Sequence, residues 1–245
     1  MTTAERLLKI DEGVEKTKAL NAELEATLNG GDTGYKSYYH EFWDIYQYNG
    51  TRKDYQYAFY GYGWLDGCFK PKYDMYTTSA AYMFSCCQTT NLTQLLKDSG
   101  VILDTSLSKN NIRMFRDATW ITHVPTISCE NSTSNSEMFY KCLSLIEIEK
   151  LILKADGTSP FNNTFYNCNA LISIAIEGVI GQNGFNVQYS TKLNKASITS
   201  IINALSSATS GLTVTLSKTA VNNAFTTDEW NALINTKPNW TISLA

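Results

Sequence analysis

Residues 3 to 28 alternate apolar and polar positions with a seven-residue rhythm. With Leu7 as position a, the a sites are Leu7, Val14, Asn21 and Leu28, and the d sites are Ile10, Thr17 and Leu24. Five of these seven seam positions are apolar, and Asp11, Lys18 and Glu25 flank them at e, as in a coiled coil. Gly30-Gly31 ends the pattern where a helix would stop. The pattern predicts a helix over 1–31 that self-associates, or that packs on its own domain or on a partner. Leu20 at g widens the stripe and slightly favours three or more strands.

The middle of the chain carries a second periodicity. Met83-Phe84, Met114-Phe115, Met138-Phe139 and Thr164-Phe165 each have a small residue three positions after the phenylalanine: Cys87, Ala118, Cys142 and Cys168. Aliphatic pairs follow the last three at fixed offsets: Ile121 and Val124, Leu145 and Ile148, Leu171 and Ile174. The phenylalanines are 31, 24 and 26 residues apart, and Ala58-Phe59 stands 25 residues before Phe84. Spacings of this size are the mark of stacked repeats, in which each unit hides an apolar face that it cannot bury alone. A repeat-core ladder of Phe84, Cys87, Phe115, Ala118, Phe139, Cys142, Leu145, Ile148, Phe165, Cys168, Leu171 and Ile174 is expected. Ala118 shares the slot of the cysteines, so these thiols read as small buried hydrophobes and not as nucleophiles. The phenylalanine segment reads as a short helical turn, with strands over 145–153 and 170–176. After Cys87 the aliphatics Leu92 and Leu95 come late, which leaves that strand's register open.

Towards the C-terminus the pattern changes. Residues 197–207 (SITSIINALSS) place Ile198, Ile201, Ile202 and Leu205 on one helical face. Residues 212–216 alternate as a strand, 227–235 read as a helix stopped by Pro238, and 240–244 read as a last strand. A helix–strand unit of this kind would cap the end of a stack.

The run Met138 to Ile148, MFYKCLSLIEI, fits the rhythm M-F-x-x-C-x-x-L-x-x-I and resembles BspA-like leucine-rich repeats of bacterial surface and phage proteins. The resemblance covers about residues 55 to 216. A second stretch, F-W-D-x-Y-Q-x-N-G-T-R from Phe42 followed by Gly63-Trp64 and Phe69-Lys70-Pro71-Lys72-Tyr73-Asp74, resembles the segment before the repeats in leucine-rich-repeat proteins of phages that infect gut Firmicutes. The resemblance implies a curved stack with short strands on one face. The expected fold class is therefore α/β, a leucine-rich-repeat solenoid preceded by an N-terminal coiled-coil helix. Its expected parts are the attachment helix (1–31), an aromatic-rich cap (32–82), the repeats (83–195) and a C-terminal helix–strand cap (196–245).

Residues 35 to 82 hold twelve of the fifteen tyrosines. These rings read either as a cap over the first repeat or as a recognition surface. In the second reading Tyr55, Tyr57, Tyr60, Tyr62 and Trp64 supply rigid contact area at low entropic cost.

Composition narrows the function. The chain has 245 residues, 43% of them hydrophobic and 18% charged, with a net charge of −3 and four prolines. That supports a packed core, and it offers no basic cluster for nucleic acid. No apolar run is long enough to insert in a membrane. Two histidines, His40 and His123, and six cysteines without a C-x-x-C pair argue against a metal site, so no cofactor is expected. The opening MTTAERLLKIDEG lacks the basic-then-apolar pattern of an export signal, and reduced thiols are expected. His40 and Asp44 are i, i+4 neighbours, which reads as a surface pair. The segment 181–184 (GQNG) lacks the Lys and Ser/Thr of a phosphate loop.

These features point to a non-enzymatic phage virion protein: a tail fibre, baseplate appendage or head decoration. It would assemble as a homotrimer, or on other virion proteins, through residues 1–31, and bind a host surface protein or glycan. One alternative is a bacterial cell-surface adhesin, located extracellularly. The other is a polysaccharide-degrading enzyme using Asp66, Asp74 or Glu41.

Overall fold

A computed structural model describes residues 53–56, 58–61 and 74–245. The expected helix over 1–31, with its seam at Leu7, Ile10, Val14, Thr17, Asn21, Leu24 and Leu28, lies outside the described residues. So do Tyr57, Tyr62, Trp64, and the pair His40–Asp44.

Every phenylalanine of the periodic segments is fully buried, and the rings lie one above another. Phe59 to Phe84 is 5.0 Å between centroids, Phe84 to Phe115 5.3 Å, Phe115 to Phe139 5.2 Å and Phe139 to Phe165 5.8 Å, with planes within 15° of parallel. The chain therefore advances by one strand spacing per coil. The rest of the expected ladder follows: Cys87, Ala118, Cys142, Leu145, Ile148, Cys168, Leu171 and Ile174 are each 2% exposed or less. One apolar cluster runs without a break from Tyr55 to Trp240.

The backbone around each phenylalanine is a run of tight turns, not the short helix that its spacing predicts. Alternate N–H groups serve two purposes. Phe84 N donates to Met114 O at 2.7 Å, Phe115 N to Met138 O at 2.8 Å and Phe139 N to Thr164 O at 2.9 Å, joining coil to coil. The groups between them fold back on their own turn, as with Met114 N to Asn111 O, Arg116 N to Arg113 O and Ala118 N to Phe115 O. Such turns need a left-handed residue at their third position. It falls two residues before and after each phenylalanine: Tyr82 and Cys86, Arg113 and Asp117, Glu137 and Lys141, Asn163 and Asn167. These eight are the non-glycine residues at positive φ among the described residues, and Gly61 holds the same place after Phe59.

On the opposite side of each coil the chain extends into short parallel strands. β1 (Lys53–Asp54), β2 (Met75–Ser79) and β3 (Leu103–Asp104) form one sheet in that order. β4 (His123–Val124) and β5 (Ile127–Ser128) both pair with β6 (Glu147–Ile152), which pairs with β7 (Ser173–Glu177). Thus β6 and β7 start two residues after Leu145 and Leu171, which close the preceding turns through Leu145 N to Cys142 O and Leu171 N to Cys168 O.

The late aliphatics after Cys87 belong to a helix, α1 (Leu92–Ser99), capped by Asn91 and ended by left-handed Gly100. It buries Leu92 and Leu96 and sits where its neighbours have strand. A sixth coil escapes the phenylalanine rhythm: Val187, Ser190 and Leu193 repeat the offsets of Phe165, Cys168 and Leu171 and are almost as deeply buried.

α2 (Lys195–Ala204) then replaces a strand and closes the β7 edge. Ile174 N donates to Ser197 Oγ at 2.9 Å and Ile176 N to Ser200 Oγ at 2.8 Å, so two hydroxyls one turn apart satisfy an edge that would otherwise be open. β8 (Leu212–Leu216) and β9 (Trp240–Leu244) pair in parallel around α3 (Lys218–Ala224) and α4 (Thr227–Ile234), the latter started by a Thr226–Glu229 capping box. Sequence pattern alone did not indicate α3.

Candidate functional site

The turn face of the coils is where side chains of different character come together. A residue at positive φ cannot point its side chain into the core with the phenylalanine between, and every such residue on the middle coils is partly exposed. Residues at one offset on successive coils are then neighbours about 5 Å apart. Just after the phenylalanine this column holds Arg116, Tyr140 and Tyr166. The Arg116 guanidinium lies 4.8 Å from the Tyr140 ring centre, and Tyr140 stacks on Tyr166 at 4.9 Å and 10°. Tyr189 meets Tyr166 edge-on at 4.8 Å, and their hydroxyl contact raises the Tyr166 pKa.

The column two residues before the phenylalanine is cross-linked to it by charge. Arg113 grips Glu137 with two prongs, Nε to Oε2 at 3.1 Å and Nη2 to Oε1 at 3.2 Å. Arg113 also donates to the Tyr82 hydroxyl, and Arg116 donates to Glu137 and, at 3.0 Å, to Asp117 Oδ2. Hydrogen bonds that Arg113 donates to Glu137 and then to Tyr82 raise the pKa of its guanidinium. The outcome is a strip of flat, mutually fixed aromatic and guanidinium groups over five coils. Tyr and Arg are the side chains enriched in protein contact surfaces, and prior ordering lowers the entropy lost on binding.

The surface expected from sequence is placed differently. Tyr55 is 1% exposed, and burial pushes its hydroxyl pKa up to about 12. It belongs to the core at the start of the stack and cannot serve as a contact residue. Tyr60 is 49% exposed. Of the carboxylates weighed for hydrolysis, Asp74 joins coil to coil, receiving Ile102 N at 2.8 Å and also the Tyr76 hydroxyl at 3.2 Å, while Glu41 and Asp66 lie outside the described residues. The strip was overlooked because its residues differ from coil to coil. Only Tyr140 and Tyr166, each directly after a repeat phenylalanine, give a sequence signal.

The cysteine column is chemically quiet. Cys142 Sγ donates to Phe115 O at 3.0 Å and Cys168 Sγ to Phe139 O at 3.1 Å, so the thiol ties its coil to the one before. Burial pushes Cys168 and Cys129 up to about 12 and Cys142 well above the usual thiol range. A thiol that stays protonated is a poor nucleophile. Among the described residues no cluster of His, Cys, Asp and Glu could hold a metal, and no helix is long and apolar enough to cross a membrane. Comparison with protein-family models, curated proteins and solved structures gives no match.

Proposed function

We propose that this chain is a non-enzymatic recognition and structural protein, built as a leucine-rich-repeat solenoid and carried on a phage virion as a tail, baseplate or head appendage. Residues 1–31 assemble it as a homotrimer or attach it to other virion proteins, and the turn face of the repeats contacts a host surface ligand. The observation that carries the recognition part is the Arg113–Glu137–Arg116–Tyr140–Tyr166 strip, whose members brace one another before any ligand arrives. The virion placement rests on the sequence rhythm at Met138–Ile148 and on the segment from Phe42, as quoted above.

The test is attachment of the full chain to cells of gut Firmicutes, with Arg116, Tyr140 and Tyr166 changed together to Ser. Loss of attachment at unchanged thermal stability is the expected result. Attachment that persists in the triple variant removes the strip as the contact. Solution mass of the full chain tests self-association: about three times the chain mass is expected, and a monomer overturns the homotrimer in favour of attachment to another protein.

A further inference from the structure

Beyond the strip, the Asn163 position leads into a hollow of about 560 Å³ walled by three successive segments of the stack. Asn162 and Asn163 come from the Phe165 coil, Asn183 and Asn186 from the next, and Thr213 and Thr215 from β8. All six are uncharged, and each carries an amide or a hydroxyl. The geometry fixes how they are used. Asn183 Oδ1 accepts from Thr213 N at 2.7 Å and Asn186 Oδ1 accepts from Gln188 N at 2.9 Å. Each of these amides is anchored by its oxygen and keeps its NH2 group unspent. The amides of Asn162 and Asn163 and the two threonine hydroxyls make no hydrogen bond among the described residues. Gly184, at φ +103°, keeps the wall open: a Cβ there would stand 2.5 Å from Asn162 Oδ1.

We infer that this hollow binds a neutral saccharide; the inference rests on the recognition reading above and names a ligand class for it. Sugar hydroxyls donate and accept at once, which matches amides and hydroxyls that do the same. An anionic ligand would surrender its hydration here with no lysine or arginine in the lining to replace it, and that is costly. An apolar ligand would leave the amides of Asn162 and Asn163, the NH2 groups of Asn183 and Asn186 and two hydroxyls without partners. A small set of convergent polar groups is what fixes orientation in a ligand site.

The experiment passes the full-length protein over beads carrying mannan, galactan or dextran, with polygalacturonate beads as the acidic counterpart. The Thr213→Val/Thr215→Val pair removes both hydroxyls while keeping the branched shape that the strand needs. Asn162→Ala changes an exposed side chain with no structural bond, and so remains informative if the pair fails to fold. Retention on at least one neutral polysaccharide is expected, released by the same sugar in solution and weakened at least tenfold in either variant. No retention on any neutral polysaccharide, retention on polygalacturonate alone, or full retention by folded variants overturns the inference. If the protein still attaches to cells through the strip in any of those cases, the recognition reading survives and only the saccharide site is lost. If it attaches to neither cells nor beads, both fall.

Discussion

Arg113 and Glu137, 24 residues apart in sequence, face each other on adjacent coils with two near-parallel N–H···O contacts of 3.1 and 3.2 Å. Arg116 shares the same carboxylate. Removing the charge by Glu137→Gln leaves two guanidinium groups side by side with only Asp117 nearby. The side chains are 22–32% exposed, so solvent screens part of the interaction. The expected loss is about 1 kcal/mol at low salt, because bidentate, networked pairs exceed the near-zero value of ordinary surface pairs. The loss should shrink in about 1 M NaCl. Urea midpoints at both salts check this, and a salt-independent loss would mean that packing, not charge, is responsible.

Phe139 lies between Phe115 and Phe165, fully buried. Phe139→Ala should cost roughly 3–5 kcal/mol, from lost transfer energy plus a cavity that rigid neighbouring coils cannot close. Phe139→Leu should cost less. Equilibrium unfolding measures both, and a loss below about 1 kcal/mol for the alanine variant would show that the ring column carries little of the stability.

The phenylalanine column was legible in sequence because one large ring per coil recurs at nearly constant spacing, and burial demands the same residue each time. Val187–Ser190–Leu193 was not, since smaller residues fill the same slots once the coil meets the C-terminal unit. α1 reads in sequence as a strand of open register, with Leu92 and Leu95 as its aliphatic pair, whereas the helix between the Asn91 and Gly100 caps buries Leu92 and Leu96, one turn apart. The left-handed positions were hard to see: of the eight, Asp117, Asn163 and Asn167 are residue types that favour that region, while Tyr82, Arg113, Glu137 and Lys141 are held there by tertiary hydrogen bonds. Since Tyr82, Arg113 and Glu137 stand at those positions, that side of the strip was harder to see than the core.

Cys129, Cys142 and Cys168 make stability fall with alkaline pH. Burial raises each thiol in the folded chain, the first and last to about 12, against 9.0 when unperturbed. Below pH 9 both states hold the proton and nothing changes. Above it the unfolded chain loses protons that the folded chain keeps, so unfolding becomes easier by up to about 1.4 kcal/mol per pH unit per thiol, until the folded pKa is reached. Urea midpoints should therefore drop more steeply from about pH 9 to about pH 10.5 than in Cys142→Ala/Cys168→Ala, for which Ala118 shows that the slot accepts alanine. Parallel slopes in the two proteins would remove the thiols as the cause.

Ser197 links the strand edge to α2. Its hydroxyl takes Ile174 N, and both residues are 2% exposed. Ser197→Ala strands that N–H without water or partner, at a cost of about 1–3 kcal/mol. Ser197→Thr keeps an acceptor and should lose less. Hydrogen exchange at Ile174 reads the effect directly: the amide should exchange faster in the alanine variant, and unchanged protection would show that the hydroxyl is not its partner in solution.

Lys141 tests whether the turn column stores strain. It is exposed, stands at φ +58°, and must stay there because its N–H reaches Tyr166 O at 2.8 Å. A left-handed conformation costs a residue with a Cβ roughly 1–2 kcal/mol, and glycine escapes that cost. Against this, glycine gives the unfolded chain more freedom and forfeits the ammonium contact 5.4 Å from the Tyr140 ring, worth about 0.5–1 kcal/mol each. The terms leave Lys141→Gly near neutral or slightly stabilising. Glu149→Gly, at an exposed position inside β6, enjoys no such relief and should cost about 0.5–1 kcal/mol. Lys141→Val should be worst, since a branched side chain fits positive φ least well. The order Lys141→Gly, then Glu149→Gly, then Lys141→Val in unfolding free energy is the expected result. If Lys141→Gly proves the more damaging of the two glycine variants, the left-handed turns are not under strain, and the hydrogen bonds that join coil to coil hold residues that sit there without resistance.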